Sequence, residues 1–313
     1  MSDRIVFEDV SKFYGEVLGV NRISLSIPSG ITTLVGPNGS GKTTIMNLMT
    51  GLIQPSSGRL SVLGLTPDDA MEFFTAVGYC AQFDSFPRGI TGWQFVFDSL
   101  MLHGIEKAMA MDLTVEALDR VQLGDAASRK VAGYSKGMRQ KIRLAQAIAH
   151  HPRVLVLDEP LNGLDPMARA ESIALFEELG KQGMHVIISS HILDEVDRIS
   201  DRVILITGGY LVAEGNIHQV RQEVHEKPMQ VLVRCDHPEV LASKMFSINH
   251  CVEARLHADG KGVFLRTADI DQFYQIINGI AADGLVKIDA VAPADDDANA
   301  IYQYLIGTDG SAS

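Results

Sequence analysis

The stretch Gly36-Pro37-Asn38-Gly39-Ser40-Gly41-Lys42-Thr43 fits the pattern G-x-x-x-x-G-K-[ST]. A segment predicted to be a buried strand, at residues 31–35, comes directly before it, and a helical pattern begins at about Lys42. Glycines let such a loop curl until several backbone N–H groups point at phosphate oxygens, and the first turn of a helix adds a positive dipole end. The stretch therefore predicts a strand–loop–helix unit of an α/β fold whose loop binds a nucleoside triphosphate.

The two polar residues at the end of this loop have separate predicted roles. Lys42 is suited to place its charge beside the β and γ phosphates, and the hydroxyl of Thr43 is suited to bind Mg²⁺. The alternative is a glycine-rich turn with an incidental lysine. A chance match in a chain of 313 residues has a probability on the order of 1%, and the flanking strand and helix favour the phosphate loop further.

Two acidic residues follow a second apolar run, at residues 154–157, that predicts another buried strand. Asp158 is suited to hold the magnesium, and Glu159 is suited to polarise a water that attacks the γ phosphate. Adjacent acids at a strand end can also be ordinary solvated loop residues. The presence of a phosphate loop in the same chain favours the catalytic interpretation.

Five further segments follow a fixed order along the chain with these two motifs. They are Tyr14, Gln82 after a strand at 77–80, Tyr134-Ser135-Lys136-Gly137-Met138-Arg139-Gln140 before a helix predicted over Gln140 to Ala149, Asn162-Gly163-Leu164-Asp165, and His191 after a strand at 186–189. Over residues 3 to about 220, the set resembles the nucleotide-binding domain of the ABC ATPase family. The matching family segments are the A-loop, Q-loop, LSGGQ signature, D-loop and switch histidine.

The resemblance implies how one chain would hold ATP and Mg²⁺. Tyr14 would stack on the adenine ring. The phosphates would lie against the loop residues Gly36, Pro37, Asn38, Gly39, Ser40, Gly41, Lys42, Thr43 and Thr44. The magnesium ion would be held by Thr43, Gln82 and Asp158.

The same resemblance implies a catalytic set and a second chain. The catalytic residues would be Glu159, His191, Gln82 and Lys42. In that set Glu159 is the general base and His191 contacts the γ phosphate. Ser135 and Gly137 would touch the γ phosphate bound by a second copy, across a head-to-tail dimer, so that one chain alone hydrolyses ATP poorly.

The signature departs from the common family pattern. Tyr134 stands in place of leucine, Lys136 in place of the first glycine and Met138 in place of glutamine, while Asn162-Gly163 replaces the commoner Ser-Ala of the D-loop. A lysine beside the partner's triphosphate adds attraction. The Tyr-Ser-Lys-Gly-Met form resembles one subfamily, whose members act with separate membrane subunits of the ABC-2 export type.

The predicted architecture has two domains. Residues 1–220 are expected to form an α/β ABC ATPase domain with a mixed sheet core, an antiparallel β subdomain and a helical subdomain. The order strand–helix–strand–strand–helix–strand over residues 228–306 resembles a small α+β ferredoxin-like domain, expected to be a regulatory or dimer-stabilising accessory. Most of seven aromatic residues are expected to fill the core of the helical subdomain: Phe73, Phe74, Phe83, Phe86, Trp93, Phe95 and Phe97. The alternative is that some of them line a docking surface for a partner, and the candidates for the permease groove are Phe83, Phe86 and Trp93.

Composition limits the possible functions. The chain has 39 acidic and 27 basic residues and a net charge of −12, which argues against a protein that coats nucleic acid. Three separated cysteines, Cys80, Cys235 and Cys251, indicate neither a disulfide framework nor a zinc site. No run of about 18 apolar residues occurs, so no membrane span is expected.

The expected function is an ATP-hydrolysing subunit that powers an ABC-2 type exporter. Its partners would be a separate transmembrane permease subunit and a second copy of the ATPase domain, with no nucleic acid. It would lie at the cytoplasmic face of the cell membrane, touching the membrane through the permease only. The alternatives are a soluble ABC ATPase in translation or DNA maintenance, or a scaffold that binds ATP without hydrolysis. The single ABC domain and the absence of a coiled-coil insertion or basic arm argue against the first, and the intact catalytic residues against the second.

Overall fold

The computed structural model describes residues 3–82, 85–190, 199–200, 202–216, 229–248, 251, 253–267 and 270–294. The chain divides into two compact units, Met1–Glu214 and Gly215–Ser313. The predicted domain limits at residues 220, 228 and 306 lie outside the described residues, and those limits stay predictions.

The larger unit alternates strands and helices through most of its length. Its described strands are β1 (Ile5–Tyr14), β2 (Val17–Ile27), β3 (Gly30–Val35), β4 (Ser57–Val62), β5 (Val77–Cys80), β6 (Val154–Leu157), β7 (His185–Ser190), β8 (Arg202–Thr207) and β9 (Tyr210–Asn216). Its described α-helices are α1 (Lys42–Met49), α2 (Ala70–Ala76), α3 (Gly92–Leu102), α4 (Lys107–Arg120), α5 (Lys136–Ile148) and α6 (Pro166–Lys181). Among them, α1 and β6 have the predicted bounds.

A six-stranded sheet forms the centre of this unit, in the order β5-β6-β7-β3-β8-β9. Strand β3 runs parallel to β7 and β8, and β6 runs parallel to β5 and β7. Every residue of β6 and β7 is buried, as expected for strands covered on both faces. Because these strands are parallel, the segments after β3, β5, β6 and β7 emerge at the same edge of the sheet.

A second, antiparallel sheet has the order β2-β1-β4. Its inward residues, such as Ile5, Phe7 and Ile27, share a core with the phosphate-loop helix α1 and with Phe73. The expectation that Phe73 fills the helical subdomain was therefore wrong. Helix α2 carries Phe73 onto this core instead, where its side chain is 1% exposed, and leaves the neighbouring Phe74 43% exposed.

The helical subdomain consists of α3, α4 and α5. Four of the predicted aromatic residues are partly buried against its core: Phe86, Trp93, Phe95 and Phe97. The Trp93 and Phe97 rings stack with centroids 4.6 Å apart, and Phe86 meets Phe95 edge-on at 5.0 Å. Phe83 lies outside the described residues. Each of these four side chains therefore packs against the core with part of its surface and leaves another part exposed.

The smaller unit has the predicted ferredoxin-like order. Strands β10 (Met229–Cys235), β11 (Glu253–Leu256), β12 (Gly262–Thr267) and β13 (Ile288–Pro293) form an antiparallel sheet in the order β11-β12-β10-β13, with α7 (Pro238–Ser247) and α8 (Ile270–Ala282) between them. The sequence pattern predicts the last strand over residues 286–290, whereas the strand begins at Ile288. Val286 is buried ahead of the strand, and pairing starts where Ile288 meets Cys235. The sequence also predicts a helix after this strand, in a segment outside the described residues.

Candidate nucleotide-binding site

The phosphate loop joins β3 to α1, and its backbone is shaped by glycine. Gly41 is the N-cap of α1 with φ 107°, and no side chain caps that end of the helix. A Cβ at Gly41 would lie 2.8 Å from the carbonyl oxygen of Gly19, so glycine is required for space as well as for conformation. The first N–H groups of α1 are therefore left for an anionic ligand.

Two side chains of the loop are buried in a way that suits a bound phosphate group. The Lys42 side chain is 6% exposed, and its Nζ donates to the carbonyl oxygens of Gly36 (2.6 Å) and Pro37 (3.1 Å). Burial lowers the pKa of Lys42, while the charges of Glu159 and Asp158 act in the opposite direction. Ser40 is 2% exposed, and its buried Oγ has no hydrogen-bond partner among the residues that the structure describes. A buried cation beside an unpartnered hydroxyl fits a site for phosphate oxygens.

The carboxylate of Asp158 links the phosphate loop to the neighbouring strands. Its Oδ2 accepts a hydrogen bond from Thr43 Oγ1 at 3.0 Å, and its Oδ1 accepts one from Ser189 Oγ at 2.7 Å. The backbone N–H of Asp158 donates to the carbonyl oxygen of Cys80 at 3.0 Å. Asp158 is 2% exposed. The Thr43 hydroxyl and this carboxylate are hard oxygen donors of the kind Mg²⁺ prefers, so these residues fit the ion.

Glu159 stands beside this group in an unusual backbone conformation. Its φ is 51°, in the left-handed region that non-glycine residues seldom adopt. Its N–H donates to Ser189 Oγ at 2.7 Å, and its carbonyl oxygen accepts from the N–H of Asn162 at 3.2 Å. The half-buried Glu159 side chain thus leaves the chain at a turn that is tied to β7 on one side and to the D-loop on the other.

Tyr14 lies next to the phosphate loop through a glycine contact. A Cβ placed at Gly19 would come within 2.9 Å of Tyr14 Cε2 and 3.1 Å of Thr44 Cγ2. The Tyr14 ring is 46% exposed, and the Lys12 ammonium lies 5.6 Å from its centroid. The tyrosine therefore offers an accessible aromatic surface at the end of the phosphate loop, as adenine stacking requires.

The two other residues predicted to act at the γ phosphate or the metal are Gln82 and His191. Gln82 follows β5 at the same edge of the sheet, and its side chain is exposed. The side-chain hydrogen bonds that Asp158 accepts in the described part of the chain come from Thr43 and Ser189, and not from Gln82. His191 lies outside the described residues, directly after the end of β7.

The signature residues begin α5, which starts four residues earlier than the sequence predicted. Ser135 is exposed and caps the helix, because its Oγ accepts from the N–H of Met138 at 3.2 Å. Tyr134 is buried, and its hydroxyl donates to the carbonyl oxygen of Ala126 at 2.7 Å. A Cβ at Gly92 would collide with that hydroxyl. The tyrosine that stands in place of leucine thus makes a hydrogen bond that leucine would lack, and the glycine at position 92 leaves room for its hydroxyl.

Two departures from the family pattern lie in contact with each other. The Lys136 ammonium occupies the position that a Cβ at Gly163 would take, and Gly163 has φ 68°. Both residues are exposed. The lysine in the signature therefore fills the space that the glycine in the D-loop leaves open.

Helix α5 is also attached to the strand that precedes Gln82. Arg143 Nη1 donates to the carbonyl oxygen of Ala81 at 2.7 Å, and Gln140 Nε2 lies 3.6 Å from Cys80 Sγ. At the other end of β5, a Cβ at Gly78 would overlap the carbonyl oxygen of Ala147. The helix that carries the signature thus packs directly against the strand that leads to the catalytic edge.

Sequence reasoning missed one polar residue of this group, Ser189. The signal was present in the sequence, since hydroxyl residues at 189 and 190 end an otherwise apolar strand. Its importance depends on the pairing of β6 with β7, which only the structure gives.

The fold and this geometry first define a class: a P-loop nucleotide hydrolase with an acidic pair at the end of the adjoining strand. The family profile described as ABC transporter matches residues 20–162. The ABC transporter ATP-binding protein YxlF of Bacillus subtilis is 33% identical over 217 residues, which cover 69% of this chain and 72% of that relative. The chain belongs to the ABC transporter ATP-binding family, and like the family it binds and hydrolyses ATP.

Two other relatives carry names that refer to transport. The bacitracin transport ATP-binding protein BcrA of Enterococcus faecalis is 30% identical over 308 residues, with 97% of each chain covered. The Nod factor export ATP-binding protein I of Burkholderia orbicola is 36% identical over 216 residues, which cover 68% of this chain and 71% of that protein. These names do not favour the alternative role in translation or DNA maintenance.

Solved structures match about seven tenths of the chain. The cbiO1 protein of Clostridium perfringens, part of the cbiONQ ABC transporter complex, has a TM-score of 0.64 at 25% identity, covering 72% of this chain and 92% of its own. A dimeric bacterial ABC transporter cassette has a TM-score of 0.62 at 23% identity, covering 68% and 98%. The predicted α/β ABC ATPase fold is therefore confirmed. In the part of the chain that the structure describes, no helix has both the length and the apolar character needed to cross a bilayer.

Proposed function

We propose that this chain is the ATPase subunit of an ABC-2 type exporter and that it acts with a separate transmembrane permease subunit. The observation that carries the proposal is the match to the bacitracin transport protein over 97% of both chains, the C-terminal unit included. The Tyr-Ser-Lys-Gly-Met signature, which resembles the same subfamily, supports it. On this proposal the chain lies at the cytoplasmic face of the membrane, touches it through the permease only, and needs no nucleic acid.

The phosphate loop would bind ATP within one chain. Lys42 and the first N–H groups of α1 face the phosphates, and Tyr14 stacks on the base. Thr43 and Asp158, with Gln82 moving in from the end of β5, would hold Mg²⁺. The ion supplies charge neutralisation for the phosphate oxygens when bound. This chain's own contribution is to fix the γ phosphate beside Glu159.

In the proposed hydrolytic step, Glu159 acts as the general base. A water attacks the γ phosphorus, the bond from that phosphorus to the β–γ bridging oxygen breaks, and the proton of the water passes to the Glu159 carboxylate. ADP and inorganic phosphate are the products. His191 would contact the γ phosphate from the segment after β7.

The exposed signature would complete the site in a second copy. Ser135 and Gly137 contact the γ phosphate held by the partner chain, so ATP favours the closed dimer through contacts that the open state lacks. The ATP-binding domain over residues 1–220 would close, and helix α5 with its neighbours would transmit the movement to the permease. The accessory domain over residues 228–306 would stabilise or regulate that dimer.

A pull-down with the Glu159→Gln variant tests this proposal. A tagged variant incubated with ATP in detergent-solubilised membranes is expected to retain ATP, stay dimeric and carry a polytopic membrane protein in stoichiometric amount, identified by mass spectrometry. The matched control is Glu178→Gln, on the exposed side of α6, which is expected to hydrolyse ATP at the normal rate. Recovery of ribosomal or nucleic-acid proteins, with no membrane protein, would overturn the exporter assignment.

A further inference from the structure

We infer that Ser189 is a positioning residue for ATP hydrolysis, which holds the metal-binding carboxylate of Asp158 and the backbone of Glu159 in their working positions. The inference rests on the roles proposed above for those two acids. It adds a residue of β7 to a site otherwise built from the phosphate loop and β6.

The geometry gives one hydroxyl two tasks. Ser189 Oγ donates to Asp158 Oδ1 at 2.7 Å and accepts from the N–H of Glu159, also at 2.7 Å. A serine hydroxyl has one hydrogen, which goes to the carboxylate, and its lone pairs take the backbone N–H. Ser189 is 1% exposed and Asp158 is 2% exposed, so water does not compete readily for either bond.

The pairing of the strands places Ser189 at this point. Leu157 pairs with Ile188 across β6 and β7, and the next step along both strands brings residue 158 beside residue 189. Because alternate residues of a strand face opposite sides of a sheet, a one-residue slip would turn this hydroxyl away from the carboxylate. The contact is therefore fixed by the central sheet and not by a loop.

The first consequence concerns Asp158. Ser189 occupies Oδ1, and Thr43 reaches Oδ2 at 3.0 Å. The two bonds together fix the rotation of the carboxylate, so that the same oxygen always faces the phosphate loop. Without the serine, Oδ1 would be a buried charged oxygen without this donor, and the group would turn to find another.

The second consequence concerns Glu159. Its φ of 51° is a left-handed conformation that is unfavourable for a residue with a side chain. The bond from its N–H to Ser189 helps to hold the chain in that conformation, and the conformation sets where the carboxylate points. A hydroxyl on a neighbouring strand thus helps to place the general base.

The test is Ser189→Ala in the full chain. Loss of a positioning contact is expected to lower kcat for ATP by about 10- to 100-fold while KM changes by less than about threefold. The magnesium concentration that gives half-maximal hydrolysis is expected to rise. Amide hydrogen exchange in the peptide that contains Glu159, measured without nucleotide, is expected to become faster because the N–H loses its acceptor.

Two further variants separate positioning from stability. Ser189→Thr keeps the hydroxyl and is expected to restore most of kcat and of the slow exchange. Ser200→Ala removes a different buried hydroxyl, which pairs with Thr33 Oγ1 at 2.8 Å on β3. It is expected to lower the unfolding temperature about as much as Ser189→Ala does, with kcat unchanged.

Three results would overturn the inference: a wild-type kcat in Ser189→Ala, an equal fall of kcat in Ser200→Ala, or unchanged exchange at Glu159. The general-base assignment fails separately, if Glu159→Gln hydrolyses ATP at the normal rate. A wild-type kcat in Ser189→Ala beside an inactive Glu159→Gln would reject the serine alone.

Discussion

The phosphate-loop half of the site and the signature half are built in opposite ways. At the loop, Lys42 and Asp158 are almost fully buried, and their polar atoms are bonded within the chain. At the signature, Ser135 and Lys136 are exposed, and the hydroxyl of Ser135 bonds the first turn of its own helix. The difference fits the proposal that one chain binds the nucleotide by itself and that the signature surface meets a second molecule.

The largest effect is expected from Lys42→Met, which removes the buried charge and keeps a side chain of similar length. ATP hydrolysis is expected to fall by about 100-fold or more, as when one transition-state donor is lost. Without nucleotide, the unfolding temperature is expected to change little, because removing an unfavourably buried ammonium is offset by losing its bonds to the carbonyl oxygens of Gly36 and Pro37. An assay of phosphate release measures the first effect. Thermal unfolding without and with ATP measures the second and shows whether ATP still binds, since a bound ligand raises the apparent stability.

The matched control for this variant is Lys136→Met on the exposed half. That change is expected to leave the ATP-dependent rise in unfolding temperature of the single chain as it is. If both variants lost the ATP-dependent rise in unfolding temperature equally, the signature would take part in binding ATP within one chain. That result would contradict the comparison between the phosphate loop and the signature.

The next effect is expected from Ser135→Asp. Aspartate caps a helix about as well as serine, so the free energy of unfolding is expected to change by less than about 0.5 kcal/mol. Its negative charge would face the partner's triphosphate, and ATP-driven dimerisation is expected to be lost. Size-exclusion chromatography with ATP, in the Glu159→Gln background, gives the measurement.

Ser135→Asn separates charge from shape at this position, because asparagine caps the helix and carries no charge. It is expected to weaken the dimer less than aspartate does. Full dimerisation of Ser135→Asp would show that the signature does not approach the partner's phosphates.

The smallest effect is expected at the contact between Lys136 and Gly163, and it is an effect on the free energy of unfolding. Gly163→Ala is expected to destabilise the chain by about 1–2 kcal/mol from the left-handed backbone alone. The new methyl group must also displace the Lys136 ammonium. A double-mutant cycle with Lys136→Ala, followed by urea unfolding, is expected to give a coupling of about 0.5 kcal/mol. A coupling of zero would mean that the two departures are independent.

Local sequence signals predicted the elements that one segment specifies by itself. The glycine pattern and the apolar run before Asp158 predicted α1 and β6 with the bounds that the structure has. They also located Lys42, Thr43, Asp158 and Glu159. The family resemblance added Tyr14, which the structure places beside the loop. Each of these depends on neighbours in the chain or on a fixed motif.

The features that the sequence did not reveal depend on contacts between distant segments. Ser189 acquires its partners from the pairing of β6 with β7, and Phe73 leaves the helical subdomain because α2 packs on the antiparallel sheet. The start of α5 was placed too late because Ser135 caps the helix without an acidic partner three residues on. Strand β4 was not predicted, since only Leu60 and Val62 mark its buried side.

The missing side chain of Gly78 has a mechanical consequence. It lets the carbonyl of Ala147 rest directly on β5, so the far end of α5 has a pivot at the sheet. From Ala147 to Ser135 the helix provides a lever arm of about 18 Å, at about 1.5 Å per residue. A tilt of about 10° around that pivot would carry the signature serine through about 3 Å, the length of one hydrogen bond. Small rotations of one helix are thus enough to make or break contact with a neighbouring chain.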